Sequence, residues 1–312
     1  MKKDIIIHIG LHKTGTTFLQ AMVFPELKNI FARSLHMLPK SESSPFNQIL
    51  TGKFADMNAQ ELEYLKRDIY NYIDSSVNDS NIILSREDFT RHFHIEYDAE
   101  KSNKIFDFLK KIFPNMKIFL MIRKQDDWIN SIYNQLLKNP QSLYFSLNEF
   151  IGYKRGKFIE NKKYLDIQNV DWYKIIKFIE NKIGRENIYI LPYEMFKENP
   201  KEFLLRFYEH YNIEQYFPAK KEVRVNFKGT YIPLFLYKSY CHFRERLPNV
   251  FKKFLRKNDK GFLKWAENYN GIKIKIPKLS KKQAEQVMEI HRESNKKLAE
   301  YIGMDLSQYG YY

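Results

Sequence analysis

Cysteine is almost absent from this chain. Cys241 stands alone among 312 residues, which excludes an internal disulfide and any zinc site built from several thiolates. Acidic residues are also short: 37 Asp and Glu face 52 Lys and Arg, giving a formal charge of +15 and a pI near 9.4. Such a balance suits an anionic partner, whether nucleic acid, a membrane surface, or a multiply charged nucleotide with an acidic acceptor. The lysines are scattered along the chain, so a solvated basic surface accounts for most of the excess. Long hydrophobic runs are missing too, and no segment approaches the roughly 18–20 apolar residues that span a bilayer. Met1-Lys2-Lys3 imitates the basic end of an export signal, but the apolar run after Asp4 is broken by His8 and Gly10. There is no internal repeat. Together these absences lead to the expectation of a cytoplasmic protein in a reducing compartment with no transmembrane segment.

What is present is enough for a substantial core. Hydrophobic residues make up 44% of the chain, and its length allows one large or two ordinary domains. The most informative stretch lies near the start. Ile5, Ile6, Ile7 and Ile9 read as a short strand that breaks into Gly10-Leu11-His12-Lys13-Thr14-Gly15-Thr16-Thr17 and continues into Phe18-Leu19-Gln20. A strand, a glycine loop and a helix start make an anion cradle, with backbone N–H groups and the positive end of the helix dipole pointing at the ligand. The ordinary form of this loop is G-x-x-x-x-G-K-[ST]. Here Gly10 and Gly15 keep the spacing and Thr17 keeps the hydroxyl, but Thr16 fills the lysine slot and the lysine stands earlier, at Lys13. A nucleotide kinase keeps that lysine beside the second glycine to reach the outer phosphates.

Further along, Phe18, Leu19, Met22 and Val23 give a first helix its apolar face up to about Pro25. From Phe31 to Met57 periodicity is lost, and turn residues such as Ser43-Ser44-Pro45 lead us to expect a loop region. Leu62, Leu65, Ile69, Tyr72 and Ile73 share a helical face. Strands are expected at Ile82–Leu84, Lys117–Ile122 and Ile188–Leu191, with helices around Ile105–Phe113 and Trp172–Ile179. The strand at Ile82 ends in Ser85-Arg86-Glu87-Asp88, charged residues where a parallel sheet presents its functional edge. Alternatively, Glu87 and Asp88 are helix-start acids stabilised by the dipole. The basic stretch from Lys154 to Lys163 reads first as a solvated loop and second as an acceptor surface. Asn199 and Pro200 cap and open a helix, and Ser280 caps a long final one.

A second motif follows the strand at Lys117: Ile122-Arg123-Lys124-Gln125-Asp126-Asp127-Trp128-Ile129-Asn130-Ser131, a strand-end arginine with a serine eight residues on. Taken with the loop at Gly10, it resembles the sulfotransferases that use 3'-phosphoadenosine-5'-phosphosulfate (PAPS), and the chain's end, Ser294-Asn295-Lys296-Lys297 with Tyr309-Gly310-Tyr311, resembles the bacterial carbohydrate-type members. Family members often have Arg-x-Pro where this chain has Gln125, and an arginine where it has Phe227.

The resemblance implies an α/β, P-loop-like three-layer fold with a central parallel sheet flanked by helices, plus a helical C-terminal region. It implies a PAPS-binding core at 1–215 and an extension at 216–312 that completes the cleft. His12, Lys13, Thr14, Gly15, Thr16 and Thr17 would hold the 5'-phosphosulfate; Arg123 and Ser131 the 3'-phosphate, the arginine through its planar fork. Tyr193 would lie near the adenine, and Arg224, Lys228 and Gly229 would close over the nucleotide. PAPS would be the donor and PAP the product, with no metal. The acceptor would be a hydroxyl, favoured on a saccharide or glycoconjugate with lipid, peptide tyrosine and small-molecule hydroxyls left open, and not nucleic acid.

Sulfuryl transfer needs a hydroxyl nucleophile, a base for its proton, an in-line sulfur and stabilised charge on the departing oxygen. Lys13 and Glu87 are the catalytic candidates, Lys13 for the departing oxygen and Glu87 for the proton; Arg86 is a candidate to steady the sulfuryl group. His92 and His94 are rival bases, while His8 reads as a core residue. Two other classes stay open: a divergent P-loop kinase, and a non-catalytic nucleic-acid binder, against which the dispersed lysines argue.

Overall fold

Five parallel strands build the sheet that carries the loop. The computed structural model describes residues 4–28, 30–34, 57–76, 81–94, 98–137, 145–218, 243, 246–248 and 277–312. Strands β1 (Ile5–His8), β2 (Ile30–Ser34), β3 (Asn81–Ser85) and β4 (Met116–Ile122) precede a two-residue-per-strand hairpin, β5 (Tyr153–Lys154) with β6 (Lys157–Phe158), and β7 (Ile188–Pro192) comes last. The large sheet runs β2-β3-β1-β4-β7. β1 lies in the middle, with Ile5 opposite Ile82 and Met116, and His8 opposite Ser85 and Phe119. Continuous apolar runs such as Ile5-Ile6-Ile7 and Phe119-Leu120-Met121-Ile122 are what strands buried on both faces require, and these residues are buried.

One strand overturns an expectation. The stretch beginning at Phe31, read above as loop, starts as β2, paired in parallel with β3 from Ile30↔Asn81 to Ser34↔Ser85. An edge strand has one neighbour and needs no continuous apolar run, so five residues of mixed character left no periodicity to see. Residues 35–56 lie outside the described ones.

Around the strands are α1 (Thr16–Phe18), which runs on as a π turn at Leu19–Val23 and a 3-10 turn at Phe24–Glu26, then α2 (Ala59–Ser76), α3 (Arg91–His94), α4 (Ala99–Ile112), α5 (Gln125–Leu137) and α6 (Leu147–Phe150). α7 (Trp172–Ile183), α8 (Tyr193–Glu198), α9 (Pro200–Tyr211) and α10 (Lys281–Ile302) complete the described helices. Their starts follow capping chemistry. Asp98, Asp171 and Asn199 each accept a hydrogen bond from the backbone N–H three residues on, at Lys101, Lys174 and Glu202. Ser280 and Gln283 cap α10 reciprocally.

The chain divides into two compact units. The first, Met1–Gln125, Gln168–Lys221 and Met288–Tyr312, holds the whole large sheet; the second comprises Asp126–Ile167 and Glu222–Val287. In the first, Ile6, Ile83, Phe119, Met121 and Leu191 from the sheet pack with Phe203, Phe207, Tyr208 and Tyr211 from α9. The Phe119 and Phe207 rings lie 4.8 Å apart, and the buried Tyr211 hydroxyl donates to the Ile118 carbonyl at 3.3 Å. Each such fully buried side chain contributes about 1.5–3 kcal/mol over its exposed state. In the second, the β5–β6 hairpin turns through Arg155 and Gly156 at positive φ, and Lys154, Lys157, Lys162 and Lys163 are exposed, in keeping with the solvated reading of this basic stretch.

Candidate functional site

The loop after β1 is pinned before it turns. The Ile9 and Leu11 N–H groups donate to Phe119 and Met121 carbonyls at 3.1 and 2.9 Å, and the Met121 N–H donates back to Gly10 at 2.6 Å. Inside the loop the Thr14 hydroxyl donates to the Leu11 carbonyl at 2.6 Å. Lys13 adopts φ 63° and Gly15 φ 87°, the left-handed region that costs a residue with a Cβ roughly 1–2 kcal/mol. At Gly15 space forbids a side chain as well, since a Cβ there would meet Tyr193 Cε2 at 3.2 Å and Phe196 at 3.3 Å. Thr16, the first residue of α1, is buried, whereas Thr17 is exposed.

Because β1 and β3 are neighbours in register, their loops leave the sheet side by side. Glu87, two residues beyond β3, therefore lies against the β1 loop. Its Oε2 is 3.0 Å from His12 Nδ1, and its Oε1 accepts the Thr16 hydroxyl. Burial pushes the Glu87 carboxyl up, but the hydrogen bond and electrostatic pull of His12 and the Thr16 hydrogen bond together pull harder, and the group is held below the ordinary carboxylate range. It is an ionised acceptor at neutral pH. His12 Nε2 also lies 3.7 Å from Asp88 Oδ1, and the Arg86 guanidinium faces Asp88 at 3.4 Å and the Phe89 ring at 5.7 Å.

Behind the pair sits His8, fully buried and stacked on Phe119 at 5.2 Å, a core residue as expected. Its Nδ1 is 2.7 Å from Ser85 Oγ, which accepts from Gln20 Nε2 at 2.8 Å. Burial pushes this imidazole down from 6.5 to about 4, so it is neutral at physiological pH. Among the described residues no group of His, Cys, Asp and Glu is arranged to hold a metal ion.

The second motif begins at the end of β4. Arg123 Nη1 donates to the Lys13 carbonyl at 2.9 Å, and the guanidinium stacks over Tyr193 at 4.6 Å. One arginine thus fixes the strained residue of the loop and rests on the ring that closes off Gly15. Ser131 lies on α5, in the second unit. His92 and His94 lie on α3, directly after the Glu87 turn. Arg224, Lys228 and Gly229 fall outside the described residues.

This geometry coincides with a family match. The sulfotransferase family model fits residues 5–218, from β1 to past the end of α9. The chain belongs to the sulfotransferase family. The sulfotransferase also shares its fold with a solved structure of the same description. The sulfotransferase from Alicyclobacillus acidocaldarius is 12% identical over 99% of this chain and 98% of its own, with a TM-score of 0.56. The sulfotransferase domain from the curacin biosynthetic pathway (13% identity, 69% and 76% coverage, TM-score 0.42) and that of the Synechococcus PCC 7002 olefin synthase (12%, 94% and 94%, 0.44) are more distant; the fold likeness rests on the first. No curated protein sequence matches the chain.

In this sulfotransferase the donor set fits a phosphate-like ligand. Gly15 lets backbone approach where a side chain would block it, and Arg123 keeps a buried Nε without a hydrogen-bond partner beside the loop. Among the described residues no helix is long and apolar enough to cross a membrane. Sequence reasoning names each of these residues but misses how they pair: that His12 and Thr16 both address Glu87, and that Arg123 reaches Lys13. Nothing local signals such contacts, because partners 71 to 110 positions apart meet only through the strand order.

Proposed function

We propose that this sulfotransferase moves a sulfuryl group from PAPS to a hydroxyl of a saccharide or glycoconjugate by in-line displacement, with Glu87 as general base. The observation that carries the reading is an ionised carboxylate hydrogen-bonded to two side chains of the anion loop itself. When bound, PAPS supplies the activated sulfuryl group. Loop N–H groups from Thr14 to Thr17, with His12, hold its 5'-phosphosulfate; Lys13 stabilises the charge that develops on the departing phosphate oxygen. Arg123 takes the 3'-phosphate, and Tyr193 lies toward the adenine. Glu87 accepts the acceptor's hydroxyl proton as its oxygen bonds to sulfur and the sulfur–phosphate oxygen bond breaks, the electron pair leaving on phosphate.

Thr16, at the usual kinase lysine position, spends its hydroxyl on Glu87, which favours sulfuryl over phosphoryl transfer. The reading needs no metal, since the loop and Lys13 carry the charge. Resemblance to carbohydrate-type enzymes and the charge of +15 support an acidic saccharide acceptor, and the lone cysteine supports the cytoplasm as the site of action. The test is labelled-sulfate transfer from PAPS to saccharide, aryl and lipid hydroxyls by the purified protein, with thermal stabilisation by PAP compared against magnesium ATP. Transfer to a saccharide and stabilisation by PAP alone are expected. Stabilisation by magnesium ATP with no sulfate transfer overturns the proposal.

A further inference from the structure

The two residues that join β4 to α5, and the first residue of α5, are each held by a different element. The Arg123 carbonyl accepts from Trp172 Nε1, at the start of α7, at 2.7 Å. The Lys124 N–H donates to Glu194 Oε1, on α8, at 3.0 Å. The Gln125 side chain exchanges two hydrogen bonds with that of Asn295, on α10, at 2.8 and 3.1 Å. Tyr311, next to the last residue, ties two of these holders together. Its hydroxyl donates to Glu194 Oε2 at 2.9 Å, and its carbonyl accepts from Asn295 Nδ2 at 2.9 Å.

All of these side chains are buried, Tyr311 and Gln125 completely, and all belong to the sheet unit. A buried carboxylate is costly unless its oxygens are met by donors. Burial raises the Glu194 carboxyl, and the Lys124 N–H and Tyr311 hydroxyl bonds oppose the rise. Folding alone does not call for a charge here, since an apolar side chain at position 194 would fill the same space. The clamp does something more specific: it holds the peptide that follows Arg123 by both its carbonyl and its N–H, and the Arg123 guanidinium is aimed at the Lys13 carbonyl and the Tyr193 ring.

We infer that Glu194 and Tyr311 are positioning residues that set Arg123 for the 3'-phosphate of the nucleotide, so that a contact between residues 117 positions apart governs recognition of the donor. This rests on the reading of Arg123 given under Proposed function. A guanidinium displaced by a fraction of an ångström loses its paired hydrogen bonds to one phosphate while leaving contacts elsewhere on the nucleotide intact.

The test compares Tyr311→Phe and Glu194→Gln with wild type, measuring affinity for adenosine 3',5'-bisphosphate and adenosine 5'-monophosphate by calorimetry, with thermal unfolding alongside. Tyr311→Phe keeps the ring and Glu194→Gln keeps the shape, so both variants retain the packing. The expected result is a bisphosphate affinity lowered roughly 2- to 30-fold, the range that contacts remote from a ligand carry, with monophosphate affinity unchanged. A wild type that discriminates, with variants that discriminate equally well, overturns this inference alone. Equal loss for both nucleotides makes the clamp merely structural and also overturns it. A wild type that binds the two nucleotides equally overturns the Arg123 reading, and this inference with it.

Discussion

Thr16 donates its hydroxyl proton to Glu87, 71 positions later in the chain. A hydroxyl has one proton to give, so the loop's ligand and the carboxylate compete for it. Thr16→Val removes that donor and leaves His12 as the remaining side-chain partner. The Glu87 carboxyl should then move up toward its ordinary value, and the acid limb of the kcat/KM profile should move up in pH with it. A profile measured from pH 4 upward that is superimposable on wild type would mean that Glu87 does not set that limb.

Removing the base itself is the sharper test. Glu87→Gln keeps the size and one hydrogen-bond acceptor but cannot take a proton, and transfer should fall by about 10²–10⁴, the usual contribution of a general base. PAP affinity, measured by calorimetry, should stay nearly the same. Retained transfer would move the proton to His92 or His94, which follow on α3.

His8 makes the fold sensitive to acid. Its imidazole is depressed from 6.5 to about 4, so the unfolded chain binds a proton before the folded one does. Stability from the neutral imidazole is full above pH 6.5 and lost as pH falls toward 4, amounting to about 3 kcal/mol at the lower end. Glu87 is depressed below the carboxylate range and keeps its stabilisation through most of that window. Urea unfolding of wild type and His8→Asn between pH 7 and 4.5 isolates the effect; the variant should show the shallower loss. Parallel curves would show that His8 is not the group being protonated.

Much of this was legible in the sequence because buried parallel strands must be apolar throughout. Ile5-Ile6-Ile7 and the run from Ile118 to Ile122 announce themselves, and the glycine spacing between Gly10 and Gly15 announces the loop. β2 did not, since an edge strand of five residues carries no such run. The site was legible as residue types but not as contacts. Placing Thr16 against Glu87 requires knowing that β1 and β3 are adjacent with His8 opposite Ser85. Placing Tyr311 on Glu194 requires a path over 117 positions that no local pattern encodes.

Gly15 and Gly10 offer a way to separate binding from chemistry within one loop. Both have positive φ, 87° and 96°, so alanine at either should cost roughly 1–2 kcal/mol and lower Tm by about 2–5 °C. Their neighbours differ. A Cβ at Gly15 presses on Tyr193 and Phe196, and Tyr193 is the ring beneath Arg123; a Cβ at Gly10 presses on the His12 N at 3.3 Å and the Glu87 Cα at 3.4 Å. Gly15→Ala should therefore weaken PAP binding, while Gly10→Ala should lower the transfer rate at saturating PAPS with a smaller change in affinity. Calorimetry with PAP and transfer kinetics on both variants decide the matter. If the two lose affinity and rate in the same proportion, the loop acts as one rigid unit, and the division between a Tyr193 side for the nucleotide and a Glu87 side for the proton fails.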